Sequence, residues 1–188
     1  MLFRSVPVSS SGNILQQSEN PTTSPWILNN IPSGAFTPVA GIAPDGSTAY
    51  LLTDTTLLGD AAYAYQEPFI TASATNVYGF SVFVKSYSAT YIDIYNFFNP
   101  STRGSYVRYN FNTDALTAYS ADGGGLVPWN VTRTFYANGW IRISYNVSDA
   151  LGTNTILQFR LFPASREDRK STRLNSSHSQ QSRMPSSA

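Results

Sequence analysis

Between Val77 and Phe98 the chain reads VYGFSVFVKSYSATYIDIYNFF, two runs of alternating side chains parted by the small polar stretch Ser86 to Thr90. In the first run Phe80, Val82 and Val84 share one face, and Ser81, Phe83 and Lys85 share the other. In the second, Ile92 and Ile94 stand opposite Tyr91, Asp93, Tyr95 and Phe97. Period-two alternation of β-branched and aromatic residues, bounded by turn formers, is the pattern of half-buried antiparallel strands. The two runs are therefore expected to pair as a hairpin. Phe80, Val82, Val84, Ile92 and Ile94 are its core side, and Phe83, Lys85, Asp93 and Tyr95 its contact side.

The same period recurs along the chain. Strands are expected over Ser47 to Thr53, Ala62 to Gln66, Ser105 to Asn112, Ala115 to Ser120, Thr132 to Tyr136, Trp140 to Val147 and Ile156 to Phe162. In the last two, Ile141, Ile143, Tyr145 and Val147 fall on one face, as do Leu157, Phe159 and Leu161 against Gln158 and Arg160. Turn chemistry separates them: Ala43-Pro44-Asp45-Gly46, Asn99-Pro100, Asn112-Thr113-Asp114, the glycine loop Asp122 to Gly125, and Asn138-Gly139, the strongest short hairpin signal. Asn13 to Gln17 reads as a short first strand and Trp26 to Leu28 as a second apolar run, while Pro32, Gly34 and Pro38 punctuate a loop. Residues 1–12 show no periodicity and are expected to be a flexible lead-in. About ten short strands with no helix and no repeat predict an all-β fold. The expected form is an antiparallel β-sandwich of the jelly-roll kind, concanavalin-like or galactose-binding-like, over residues 13–167.

Composition agrees with one such domain in 188 residues. Twelve Tyr, 11 Phe and 3 Trp alongside 12% charged residues are the reverse of a disordered composition. The absence of cysteine excludes disulfides and thiolate metal sites. No apolar run is long enough for a membrane-spanning helix, so membrane insertion is not expected. The start, MLFRSVPVSSSG, carries no signal-peptide pattern.

The formal charge of +1 is unevenly spread. From Asp168 the chain reads DRKSTRLNSSHSQQSRMPSSA, basic, serine-rich and without aromatic residues. As protein this is a disordered tail. It also resembles the conceptual translation of a common short-read sequencing adapter, over Asp168 to His178 and Ser182 to Ala188, with Ser179 to Gln181 as the index. Such a scar is set aside from fold reasoning. With it go the sole histidine, His178, and four basic residues, leaving eight basic and ten acidic ones. That balance argues against a nucleic-acid partner. The resemblance also implies a fragment from a metagenome-like source, cut before its last strand.

A second resemblance rests on the order of four motifs. Ser18-Glu19-Asn20 with Trp26 comes first, then APDGST at Ala43 to Thr48, then Tyr-x-Phe-Ser-Val-x-Val-Lys at Tyr78 to Lys85, then Asn-Gly-Trp-x-Arg at Asn138 to Arg142. Together these resemble the carbohydrate-binding-module-like jelly-roll domains of tailed-phage tail fibres and other virion proteins, over about residues 13–163. The family usually ends on a strand with a Trp-Gly-Ala-Gln-like run, which has no counterpart here. The resemblance implies a non-catalytic module on a virion appendage, with surface glycans and other fibre subunits as partners and no cofactor. Two alternatives stay open: a purely structural assembly or oligomerisation domain of a fibre, and a binding module appended to a secreted polysaccharide-degrading enzyme, which would place it outside the cell.

Sugar binding on a sheet needs flat aromatic surfaces flanked by groups that hydrogen-bond hydroxyls. With the apolar registers facing the core, the opposite faces offer Phe83, Lys85, Tyr91, Asp93, Tyr95, Tyr106, Arg108, Trp140 and Arg142. Trp129, beside Pro128, is a further stacking candidate. The plainer alternative is that these aromatics mark strands covered by loops or by a subunit, and that Trp129 anchors its loop at the core edge. Asp45 and Asp122 sit in turns, where carboxylates also serve calcium, although turn formation alone explains them. Triads and histidine metal sites lack their residues once the tail is set aside, and glutamate is sparse, chiefly Glu19 and Glu67. Catalysis is not expected, and no catalytic or metal-binding residue is assigned.

Overall fold

In the computed structural model the expected alternation places the core correctly, but the two central strands part company. The structure describes residues 2–5, 26–29, 31, 36–53, 63–121, 125–149 and 151–163. Its strands are β1 (Leu2–Ser5), β2 (Ile27–Asn29), β3 (Phe36–Val39), β4 (Ala49–Leu52), β5 (Tyr63–Gln66) and β6 (Val77–Lys85). They continue with β7 (Tyr91–Asn99), β8 (Arg103–Asn110), β9 (Ala115–Ser120), β10 (Trp129–Phe135), β11 (Ile141–Ser148) and β12 (Ile156–Phe162). They form two six-stranded antiparallel sheets, ordered β10-β11-β6-β1-β4-β3 and β2-β5-β12-β7-β8-β9. The sheets pack face to face as an all-β sandwich.

β6 pairs with β1 and β11, whereas β7 pairs with β8 and β12. The expected β6–β7 hairpin is therefore corrected to a crossover between sheets. Alternation reports which side chains are buried and says nothing about which strand lies alongside. The connecting residues carry the missing information: Ser-Tyr-Ser-Ala-Thr holds no glycine or asparagine for the positive φ angles of a tight hairpin turn. Where those residues are present the hairpin forms. Asn138 and Gly139 take φ of 62° and 76°, and Phe135 pairs with Ile141 across the β10–β11 turn.

Between the sheets lie Phe80, Val82 and Val84 of β6, Ile141, Ile143, Tyr145 and Val147 of β11, Ile92, Ile94 and Phe98 of β7, and Leu157, Phe159 and Leu161 of β12. The Phe80 ring bridges the two layers, stacked 5.1 Å from Phe159 and 5.5 Å from Tyr145. The Asn96 amide donates to the Tyr145 hydroxyl at 3.1 Å, so these two deeply buried polar side chains satisfy one another. Burial moves the Tyr145 phenol well above the usual tyrosine range.

Three local expectations change. Leu2–Ser5, read as part of a flexible lead-in, is a strand between β6 and β4. Its backbone pairing, not its sequence period, makes it one. The loop expected around Pro38 contains β3, and this strand is at the sheet edge, where a proline's missing N–H costs no ladder bond. Twelve strands are present among the described residues. The short strand expected over Asn13 to Gln17 and the tail from Asp168 lie outside the described residues.

Candidate functional site

The outward face of the second sheet is ordered by its register. Tyr119 on β9 pairs with Tyr106 on β8, Tyr106 with Tyr95 on β7, Tyr95 with Arg160 on β12, and Arg160 with Tyr65 on β5. Directly paired residues on one face stand about 4.5–5.5 Å apart at Cβ, close enough for rings to stack across strands. Tyr95 and Tyr106 do so at 4.4 Å and 26°, Tyr106 and Tyr119 at 5.1 Å and 21°. A row of side chains thus crosses five strands, with an arginine inside it.

Arg160 is surrounded by rings. Its guanidinium carbon lies 5.1 Å from the Tyr63 ring centre, 5.9 Å from Tyr65, 5.2 Å from Tyr95 and 5.1 Å from Phe97, all within cation–π range. Its Nε donates to Gln158 Oε1 at 2.7 Å and its Nη2 donates to the same oxygen. The Gln158 amide nitrogen in turn donates to the Glu67 carboxylate. The Tyr65 phenol is raised above its ordinary pKa, by burial first and then by the Glu67 and Tyr63 charges, with Arg160 opposing.

The neighbouring row holds the other outward arginine, which is neutralised. Arg108 pairs with Asp93 across β7 and β8, its Nε 2.7 Å from Oδ1 and its Nη2 2.8 Å from Oδ2. Asp93 is fully buried, and the Arg108 guanidinium lies 5.6 Å from the Tyr91 and Tyr119 rings. A bidentate fork of this kind matches both carboxylate oxygens. It leaves Asp93 closed to a ligand.

The nine candidates from the sequence do not form one site. Tyr91, Asp93, Tyr95, Tyr106 and Arg108 converge on this face. Phe83, Trp140 and Arg142, together with Lys85, belong to the other sheet, whose outward face points the opposite way, because β6 and β11 lie in that layer. The contact side expected to unite Phe83 and Lys85 with Asp93 and Tyr95 is corrected accordingly. Trp140 is 1% exposed and donates its indole N–H to the Ile42 carbonyl at 2.8 Å, packed with Ala43 and Ala49. An indole so enclosed presents no face for stacking. Arg142 donates to Ser81 Oγ at 2.6 Å and lies 5.9 Å from the Phe83 ring, which packs edge-on against Tyr136. Trp129 opens β10 opposite Asn146 and is 37% exposed, the most accessible of the three tryptophans.

Sequence reasoning missed Tyr63, Tyr65, Phe97, Tyr119, Gln158 and Arg160 as members of the site. Their signal was present in part: Gln158 and Arg160 alternate with Leu157, Phe159 and Leu161, and Tyr63 and Tyr65 alternate with the buried Ala64 and Gln66. What alternation lacks is the order of strands that sets β12 between β5 and β7.

The turn aspartate Asp45 accepts from the Ser47 N–H at 3.1 Å and from its hydroxyl at 2.7 Å, which is turn formation. Asp122 lies outside the described residues. Among the described residues no group of three His, Cys, Asp or Glu side chains is placed to hold a metal. Compared with known proteins, the chain matches no family model, and no curated protein shows significant similarity to it.

Proposed function

We propose that this chain is a non-catalytic β-sandwich module that binds surface glycans through the outward face of the β2-β5-β12-β7-β8-β9 sheet, carried on a virion appendage such as a tail fibre. The observation that carries the binding half is the row Tyr119–Tyr106–Tyr95–Arg160–Tyr65. It combines the part-exposed rings of Tyr65 and Tyr119, for the apolar side of a sugar, with guanidinium donors for its oxygens. The virion setting rests on the motif resemblance over residues 13–163. A glycan array probed with folded protein tests the binding half. Tyr65→Ala and Tyr95→Ala should each lose the signal while keeping a β-sheet circular dichroism spectrum. A blank array from folded wild-type protein overturns it.

One observation favours a second reading, in which the same face joins subunits of a fibre. Tyr95 and Tyr106 are each 6% exposed, so much of their ring surface already faces neighbours. Light scattering that finds an obligate oligomer, dispersed by Tyr65→Ala, would support assembly in place of glycan capture.

A further inference from the structure

The two outward arginines of this sheet have different partners, and the difference names a ligand class. Arg108 spends its fork on the buried Asp93 carboxylate. Arg160 has no carboxylate within ion-pair distance among the described residues, and its two hydrogen bonds both go to the single oxygen Gln158 Oε1. A guanidinium carries five N–H donors in a planar fork. Those of Arg160 not turned to Gln158 have no hydrogen-bond partner among the described residues.

The surroundings hold this cation in place without neutralising it. Four rings flank it at 5.1 to 5.9 Å, which restricts its rotamers and strips part of its water. The Gln158 amide is fixed at both ends, nitrogen to Glu67 and oxygen to Arg160, so it aims the guanidinium. A positive group that is positioned, partly desolvated and not directly paired with a carboxylate is matched by an anionic ligand oxygen pair.

The geometry points to an anion-selective saccharide subsite centred on Arg160, which takes a sugar bearing a carboxylate or a sulfate ester while the flanking rings Tyr65 and Phe97 cover its apolar side. This inference rests on the glycan-binding reading and narrows it. The Glu67–Gln158 pair positions Arg160 and does not itself bind the anion.

Calorimetric titration of the full chain with four probes tests it: a hexuronic-acid tetrasaccharide, a sulfated neutral tetrasaccharide, and the uncharged parent of each. At least one charged probe should bind about tenfold more tightly than its parent, and the preference should shrink on going from about 0.05 M to about 0.5 M salt. Which of the two charged probes wins separates carboxylate from sulfate recognition. Arg160→Gln should erase the preference and Arg160→Lys should keep part of it, the lysine variant serving if the glutamine variant folds poorly. Equal binding of charged and neutral probes by wild-type protein overturns the inference and leaves the glycan-binding reading standing. Equal preference in wild type and Arg160→Gln also overturns it. Folded protein that binds none of the probes overturns it as well, and a blank array beside that result removes the broader reading too.

Discussion

The ring of Tyr95 lies across Gly104. A Cβ built on Gly104 would stand 2.5 Å from the Tyr95 Cζ, far inside van der Waals contact. Gly104 faces Phe97 in the β7–β8 register, so the absent side chain makes the space into which the neighbouring tyrosine folds. Gly104→Ala should therefore dislodge Tyr95 from its stack with Tyr106. Overpacking of this kind costs about 1–3 kcal/mol. Urea unfolding should show that loss, with a weakened near-ultraviolet tyrosine signal. An alanine variant as stable as wild type would mean that the ring has another resting place.

The Asp93–Arg108 pair should behave as a unit. Removing one partner of a buried ion pair leaves an uncompensated charge and costs about 3–5 kcal/mol. Asp93→Ala and Arg108→Ala should each approach that cost, and the double variant should lose much less than the two together. A double-mutant cycle by chemical denaturation measures the coupling. Strict additivity would show that the 2.7 and 2.8 Å contacts contribute nothing in solution.

Tryptophan fluorescence separates binding platform from core. Trp140 and Trp26 are 1% and 8% exposed, Trp129 37%. Iodide should quench one emitting population and leave the other two indoles protected. Trp129→Phe should abolish the quenchable part, whereas Trp140→Phe should lower stability through the lost bond to Ile42 and leave quenching intact. Quenching that survives Trp129→Phe would contradict the enclosed position of Trp140.

Stability should fall in alkali. The Tyr109 phenol is pushed up to about 12, by burial first and then by its bond to Asp114. Below pH 10 the group is protonated in both folded and unfolded chains and adds no pH dependence. Between about 10 and 12 the unfolded chain releases a proton that the folded one retains, so the unfolded state gains and stability declines. Tyr145, raised further by burial, acts in the same direction. Unfolding free energies measured from pH 9 upward should be level at first and then drop, and Tyr109→Phe should flatten the drop. An unchanged slope in that variant would place the titration elsewhere.

The residues that made the core legible were those with strict alternation. Phe80, Val82, Val84, Ile92, Ile94 and the inward sets of β11 and β12 are all buried as their period predicts. Turns with a chemical requirement were legible too, as at Pro44-Asp45-Gly46 and Asn138-Gly139. The site was legible only in fragments, because face and layer are different properties. Phe83 and Tyr95 both point outward, yet their strands lie in different sheets, and only long-range pairing decides that. Trp140 shows a second limit. Its register opposite Ile141 and Ile143 suggested a binding residue, whereas its indole is held against Ile42 and Ala43, beside the APDGST turn. Two of the motifs that carry the resemblance thus meet in packing rather than at a ligand face.

The crossover at Ser86–Thr90 places the outward residues of two consecutive strands on opposite sides of the sandwich. Sandwiched sheets lie about 10 Å apart, and substitutions at that separation without shared partners act almost independently. The surface around Phe83 and Arg142 can therefore be recut for attachment to a neighbour or a solid support while the Tyr95–Arg160 surface keeps its chemistry. The reverse holds as well, so each side is free to diversify without renegotiating the other.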